Sequence, residues 1–253
     1  MDLNSVYNRA RKDVVGQDDP LKKFILTVNH NLNDGHFNKQ NIILKGDVGT
    51  GKTLMCDVVA REMRIPFAHV DLSLNRGVLS NEHIEEALKI FAEKLDSTDL
   101  RGIILLDGLE KLFMDSKDGS ILNFAKCNNY LVANIRLNVN KLFDLSKVTL
   151  VAEGIYEKNG AGFSNRMNSV NQRLFNSRFT RIIETNPINE EFVRNAILFS
   201  NVSSLRNIGD ITICDDEINK IVAMVVERGV GLHSASAVID DVLYPKFEKK
   251  YFN

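Results

Sequence analysis

With 253 residues, 44% hydrophobic and 26% charged, the chain has the apolar material for a real core and suits one large domain, or a large domain with a small appendage. A net charge of −1 excludes a strongly basic protein built to coat nucleic acid or an anionic membrane, although a local patch stays open. Cys56, Cys127 and Cys214 show neither metal spacing nor a disulfide framework and read as reduced, buried thiols. No signal peptide follows Met1 and no apolar run reaches membrane-spanning length, so the expectation is a cytoplasmic protein without a membrane role.

In chain order, a short helical stretch leads to Asp13-Val14-Val15-Gly16-Gln17-Asp18-Asp19-Pro20. Asp18 or Asp19 can cap a helix with Pro20 in its first turn. That helix runs from Leu21 to about Asn33, with Leu21, Phe24, Ile25, Val28 and Leu32 on one face and Asp34-Gly35 as its stop. Asn41 to Lys45 then reads as a buried strand, Leu54 to Met63 as a helix, and between them stands Gly46-Asp47-Val48-Gly49-Thr50-Gly51-Lys52-Thr53. This is G-x-x-x-x-G-K-[ST], the phosphate-binding loop: glycines let backbone N–H groups wrap a polyphosphate, and the helix N-terminus adds partial positive charge. Lys52 can reach the β- and γ-phosphates, and the Thr53 hydroxyl can ligate Mg²⁺. The stretch therefore points to a nucleoside triphosphate.

Pro66 to Asp71 reads as a second strand and Ser80 to about Leu95 as a helix with Ile84, Ala87, Leu88 and Phe91 at helical spacing. Gly102-Ile103-Ile104-Leu105-Leu106-Asp107 is an apolar strand ending in a carboxylate, expected beside the phosphate-loop strand with Asp107 orienting Mg²⁺ through water. Residues 112–146 read coarsely as a loop and then a helix, Lys147 to Ala152 as a strand and Thr180 to Glu184 as a short last one. Alternating strands and helices imply an α/β fold: a parallel, doubly wound sheet with the nucleotide at the strands' carboxyl ends. After Pro187 the pattern turns helical, with segments Glu190–Ser200, Asp215–Glu227 and Gly231 to about Tyr244, broken at Gly209-Asp210 and Arg228-Gly229. Pro245 should end or kink the last. The division expected is an α/β nucleotide-binding domain over 1–185 and a small all-helical lid over 186–253.

Together these residues resemble the AAA+ ATPases, and within them the ClpX and HslU branch of unfoldases. Val14-Val15-Gly16-Gln17 is similar to the segment that contacts adenine, Gly46 to Thr53 to Walker A, and Gly102 to Lys111 to the Walker B region. The resemblance implies ATP and Mg²⁺ as cofactors. Nucleotide contacts would come from Val14, Val15 and Gly46, Asp47, Val48, Gly49, Thr50, Gly51, Lys52, Thr53 and Leu54, and metal contacts from Thr53 and Asp107. Arg178, in Phe175-Asn176-Ser177-Arg178-Phe179, sits where the family has its arginine finger, which reaches a neighbouring subunit's nucleotide. A homo-oligomer, ring or helical, follows from that role, with a protein or nucleoprotein as partner.

The chain also departs from the family. The Walker B glutamate that polarises water is replaced by Gly108, and the loss of such a base commonly costs about 10²–10⁴ in rate. Glu110 and Glu153 are the two carboxylates that can compensate. Glu153 ends the strand that should present a small polar sensor residue, and it reads either as a displaced base or as a side chain pointing to solvent. Val230 stands where the sensor-2 arginine should be, with Arg228 and His233 nearby. Asn75-Arg76-Gly77-Val78-Leu79-Ser80, at the pore loop, has no aromatic, and Asn159 to Phe163 is only faintly similar to a peptidase-docking loop. His30, His36, His69 and His83 share no metal-ligand spacing and read as core or surface histidines. Two functions remain: an ATPase that remodels a protein or nucleoprotein partner, and a nucleotide-gated assembly switch that scarcely hydrolyses ATP. Loading something onto DNA is a third option without a basic stripe to support it.

Overall fold

The computed structural model describes residues 1–71, 81–96, 99–108, 135–138, 141–154, 179–199, 213–229 and 231–252. The strands are β1 (Ile42–Lys45), β2 (Phe67–Asp71), β3 (Asp99–Asp107), β4 (Ile135–Asn138), β5 (Lys141–Glu153) and β6 (Arg181–Glu184). They form one sheet in the order β2-β3-β5-β1-β6, parallel throughout, with β4 added antiparallel to β5. The helices are α1 (Leu3–Ala10), α2 (Asp18–Asn38), α3 (Lys52–Met63), α4 (Asn81–Leu95), α5 (Glu190–Phe199), α6 (Asp215–Arg228) and α7 (Ala235–Tyr251), with a 3₁₀ turn over Gly231–Ser234. Among the described residues no single helix is long and apolar enough to cross a membrane.

The near-continuous apolar strands are explained by burial on both faces. Ile42, Leu44, Ile103, Leu105 and Val151 pack on the face covered by α1, α2 and α3. Their alternating neighbours Ile43, Ile104, Leu106, Leu150 and Ala152 pack on the other face with Ala87, Leu88 and Phe91 of α4. A separate cluster joins α5, α6 and α7 through Val193, Ile221, Val225, Val238 and Leu243.

Several sequence expectations need correction. The strand ending in Asp107 does not lie beside the phosphate-loop strand, because β5 pairs with both β1 and β3 and separates them. The segment read as a helix within residues 112–146 is strand wherever it is described, since β4 and β5 form an antiparallel pair there. Gly35 does not stop α2, which continues to Asn38 from a Gln17 cap rather than an aspartate side-chain cap. Its role is proximity: a Cβ at Gly35 would lie 2.1 Å from the Ser146 carbonyl oxygen, so only glycine lets α2 approach β5 so closely. Pro245 lies inside α7 rather than ending it. Cys56 is buried but Cys214 is exposed as the cap residue of α6, while Cys127 falls outside the described residues.

Gly35→Ala should therefore lower unfolding stability by about 1–3 kcal/mol through overpacking, despite alanine's roughly 1 kcal/mol advantage in a helix. A shift in the denaturant midpoint at constant m-value would measure it.

Candidate functional site

The site forms where β1, β3 and β5 end. Gly49 and Gly51 adopt φ of 79° and 85°, which lets the loop turn its amides inward before α3 begins. The α3 cap, Gly51, makes no side-chain capping bond, and the first intrahelical bond runs from Met55 N–H to the Gly51 carbonyl. The N–H groups of Lys52, Thr53 and Leu54 thus have no acceptor within the helix, which suits an anion. Thr50 braces the loop: its buried hydroxyl donates to the Asp47 carbonyl at 2.9 Å and accepts from the Thr185 hydroxyl at 2.9 Å. A Cβ at Gly46 would meet Thr185 Oγ1 at 1.9 Å, so the loop is also seated tightly on the segment after β6.

Lys52 is 5% exposed, and its ammonium donates to the carbonyls of Asp47 (2.8 Å) and Gly46 (3.2 Å). The Glu153 carboxylate completes its surroundings at 3.6 Å. Thr53 Oγ1 donates to the other Glu153 oxygen at 3.1 Å. Glu153 therefore faces into the site, with its side chain 12% exposed, instead of pointing to solvent. Burial pushes its carboxyl above the usual carboxylate range; Lys52 opposes that and the negative charge of Asp107 adds to it. The geometry follows from register: Leu44 pairs with Glu153, and Leu106 with Ala152, so Glu153 ends the strand between the phosphate loop and Asp107. Gly108 follows Asp107 with φ of 77°, so an L-residue there would be strained.

A cavity of about 310 Å³ joins these groups to the helical segment. Val14 and Val15 line it opposite Lys52, Thr53 and Leu54, while Phe192, Leu232, His233 and Ser236 close it from α5, the 3₁₀ turn and α7. Gly231 brings the turn onto the loop: at φ of 60° its Cβ position would lie 2.8 Å from the Val48 carbonyl oxygen and 2.9 Å from Gly49 Cα. Buried Gln17 donates to the Asn186 carbonyl at 3.1 Å and accepts from the Asn186 N–H at 2.7 Å, tying the Val14-Val15 segment to the start of the helical region. A larger, more open groove of about 980 Å³ shares Val15 and Phe192 with this cavity but contains no phosphate-loop residue.

The residues singled out in the sequence are thus distributed as follows. Val14, Val15, Gly49 to Leu54 and Glu153 share the cavity, while Gly46, Asp47 and Val48 form the loop's outer part, with Val48 49% exposed. Asp107 lies at the end of the neighbouring strand. Glu110, Arg178, Val230, residues 75–80 and residues 159–163 lie outside the described residues. Arg228 pairs with Asp241 at 3.0 Å. The sequence reading passed over Asn186, Thr185 and Phe192, took Gln17 only as part of the segment similar to the adenine contact, and read His69 as a core or surface histidine. None carried a sequence signal of its own; His69, two positions before the end of β2 on a strand set beside β3, comes within 3.0 Å of Asp107 Oδ2 only through strand pairing.

Residues 42–187, from β1 to just past β6, match the profile of the ATPase family associated with various cellular activities (AAA). Over 122 residues the chain is 34% identical to the ATP-dependent Clp protease ATP-binding subunit ClpX of Porphyromonas gingivalis, covering 43% of this chain and 29% of that protein. Over 129 residues it is 31% identical to the ClpX subunit of Bacteroides fragilis, covering 46% and 31%. The chain thus spans less than a third of the length of these curated relatives. A parallel α/β sheet, a phosphate loop in its proper strand–helix setting and a family match over more than half the sequence lead to one conclusion: the chain belongs to the AAA family, as a ClpX-like, ATP-binding AAA+ protein.

Proposed function

We propose that the chain is a Mg²⁺-dependent ATPase in which Glu153 replaces the missing Walker B glutamate, and whose turnover drives assembly and the remodelling of a protein or nucleoprotein partner. The observation that carries this reading is the Glu153 carboxylate, paired with Lys52 at 3.6 Å and hydrogen-bonded by Thr53 at the phosphate end of the cavity. Entry of a triphosphate gives Lys52 a stronger acceptor than two carbonyls and a carboxylate, and so frees Glu153 to accept a proton from attacking water. A carboxyl raised by burial is a better base than an exposed one. A hydroxyl on Thr53 and a carboxylate on Asp107 are hard oxygen donors that fit Mg²⁺, with Asp107 acting through water. When bound, the ion neutralises charge on the β- and γ-phosphates. Val14 and Val15 would hold the base, the segment 186–253 would act as a lid domain on the 1–185 core, and Arg178 would reach a neighbour's nucleotide in a ring or helical oligomer. Glu110 is the other acid available to a catalytic role.

A second reading, a nucleotide-gated switch with little hydrolysis, is favoured by the left-handed backbone of Gly108, which builds the absence of a side chain into the turn.

Phosphate release measured across a protein concentration series separates the two. For the ATPase, turnover per chain should rise with concentration, vanish in Lys52→Ala, and fall by about 10²–10⁴ in Glu153→Gln. The Glu153→Gln variant should at the same time bind ATP more tightly, since one negative charge leaves the γ-phosphate's surroundings. Absent turnover despite tight binding would establish the switch. Gly231→Ala should weaken binding of a fluorescent ATP analogue about tenfold, because about 1–2 kcal/mol of left-handed strain and contact would lift the turn off the loop; circular dichroism should stay unchanged.

A further inference from the structure

We propose that His69 is a positioning residue for the metal-directed carboxylate of Asp107, an inference that rests on the metal role just assigned to Asp107. His69 pairs in register with Leu105, so it and Asp107 project from adjacent strands on the same face of the sheet. Its Nε2 lies 3.0 Å from Asp107 Oδ2. An ionised carboxylate can only accept, so this contact requires the hydrogen on Nε2. The imidazole ring stacks on Phe67, two residues earlier on the same strand, with centroids 6.5 Å apart and planes 15° from parallel. The ring is therefore held on one side and hydrogen-bonded on the other.

Asp107 needs such help here. Its side chain is 33% exposed, and the residue that follows it is a glycine in left-handed backbone, which contributes no side chain to steady the strand end. Among the described residues His69 alone hydrogen-bonds this carboxylate. With Oδ2 engaged, Oδ1 is left to accept a hydrogen from water on the metal. Outer-shell partners of this kind commonly change metal affinity about 10–100-fold.

The test uses the full chain loaded with a non-hydrolysable ATP analogue and reads Mn²⁺ binding by electron paramagnetic resonance. Nucleotide affinity without metal is measured alongside. His69→Phe keeps the stacked ring and removes the N–H, whereas His69→Gln returns a donor of similar reach. Mn²⁺ affinity should fall about tenfold or more in His69→Phe, recover largely in His69→Gln, and fall in Asp107→Asn no further when His69→Phe is added. Metal-free nucleotide affinity should stay constant in the two His69 variants. An unchanged Mn²⁺ affinity in His69→Phe beside a loss in Asp107→Asn would overturn the role of His69 alone. So would an equal loss of metal-free nucleotide binding, or no recovery in His69→Gln. An unchanged affinity in Asp107→Asn would remove the metal role of Asp107 and the inference with it.

Discussion

A nearly inaccessible ammonium has to be neutralised in place, and the site is arranged around that requirement. Burying an unpaired charge costs several kcal/mol, so Lys52 without a ligand needs acceptors on every side it can reach. Two backbone carbonyls supply part of the compensation, and Glu153 supplies the charge. That carboxylate is in reach only because β5 is threaded between β1 and β3, which makes the sheet order itself an electrostatic device. On the function proposed above, a triphosphate would enter by substitution. It would take over a cation already desolvated and already satisfied, so that binding would exchange one set of negative partners for another.

The parts of the fold legible in the sequence are those governed by local chemistry. The phosphate loop, the apolar strands and the face of α2 carrying Leu21, Phe24, Ile25 and Val28 follow from spacing and propensity alone. The failures share a cause as well. Gly35 and Pro245 are punctuation marks in a one-dimensional reading, yet the first marks a close approach to β5 and the second is absorbed within α7. Tertiary context overrides the local rule in both. Strand order is likewise a non-local property: nothing in Gly102 to Asp107 tells that β5, which starts only at Lys141, will come between it and β1.

The candidate site divides along the same line. Lys52 and Thr53 are specified by a motif, whereas the direction of Glu153 required the register of three strands. His69 carries no motif, and its nearness to Asp107 depends on two strands being parallel and in step. Gln17 and Asn186 are 169 residues apart in sequence, and their reciprocal bonds exist only in three dimensions.

That last pair has a consequence for how the molecule can be divided. The family-matched span begins at residue 42, but α1 and α2 supply Val6, Ala10, Leu21, Phe24, Ile25 and Val28 to the core beneath β1, and Gln17 fastens the segment following β6. A fragment trimmed to the matched span would keep every phosphate-loop residue. It would nonetheless expose the part of the sheet face that α1 and α2 cover, and leave the polar backbone at Asn186 without its buried partner. The recognisable motif and the smallest self-supporting unit are therefore different lengths of chain, and the helical segment before the motif is part of the core that packs on the sheet rather than an appendage to it.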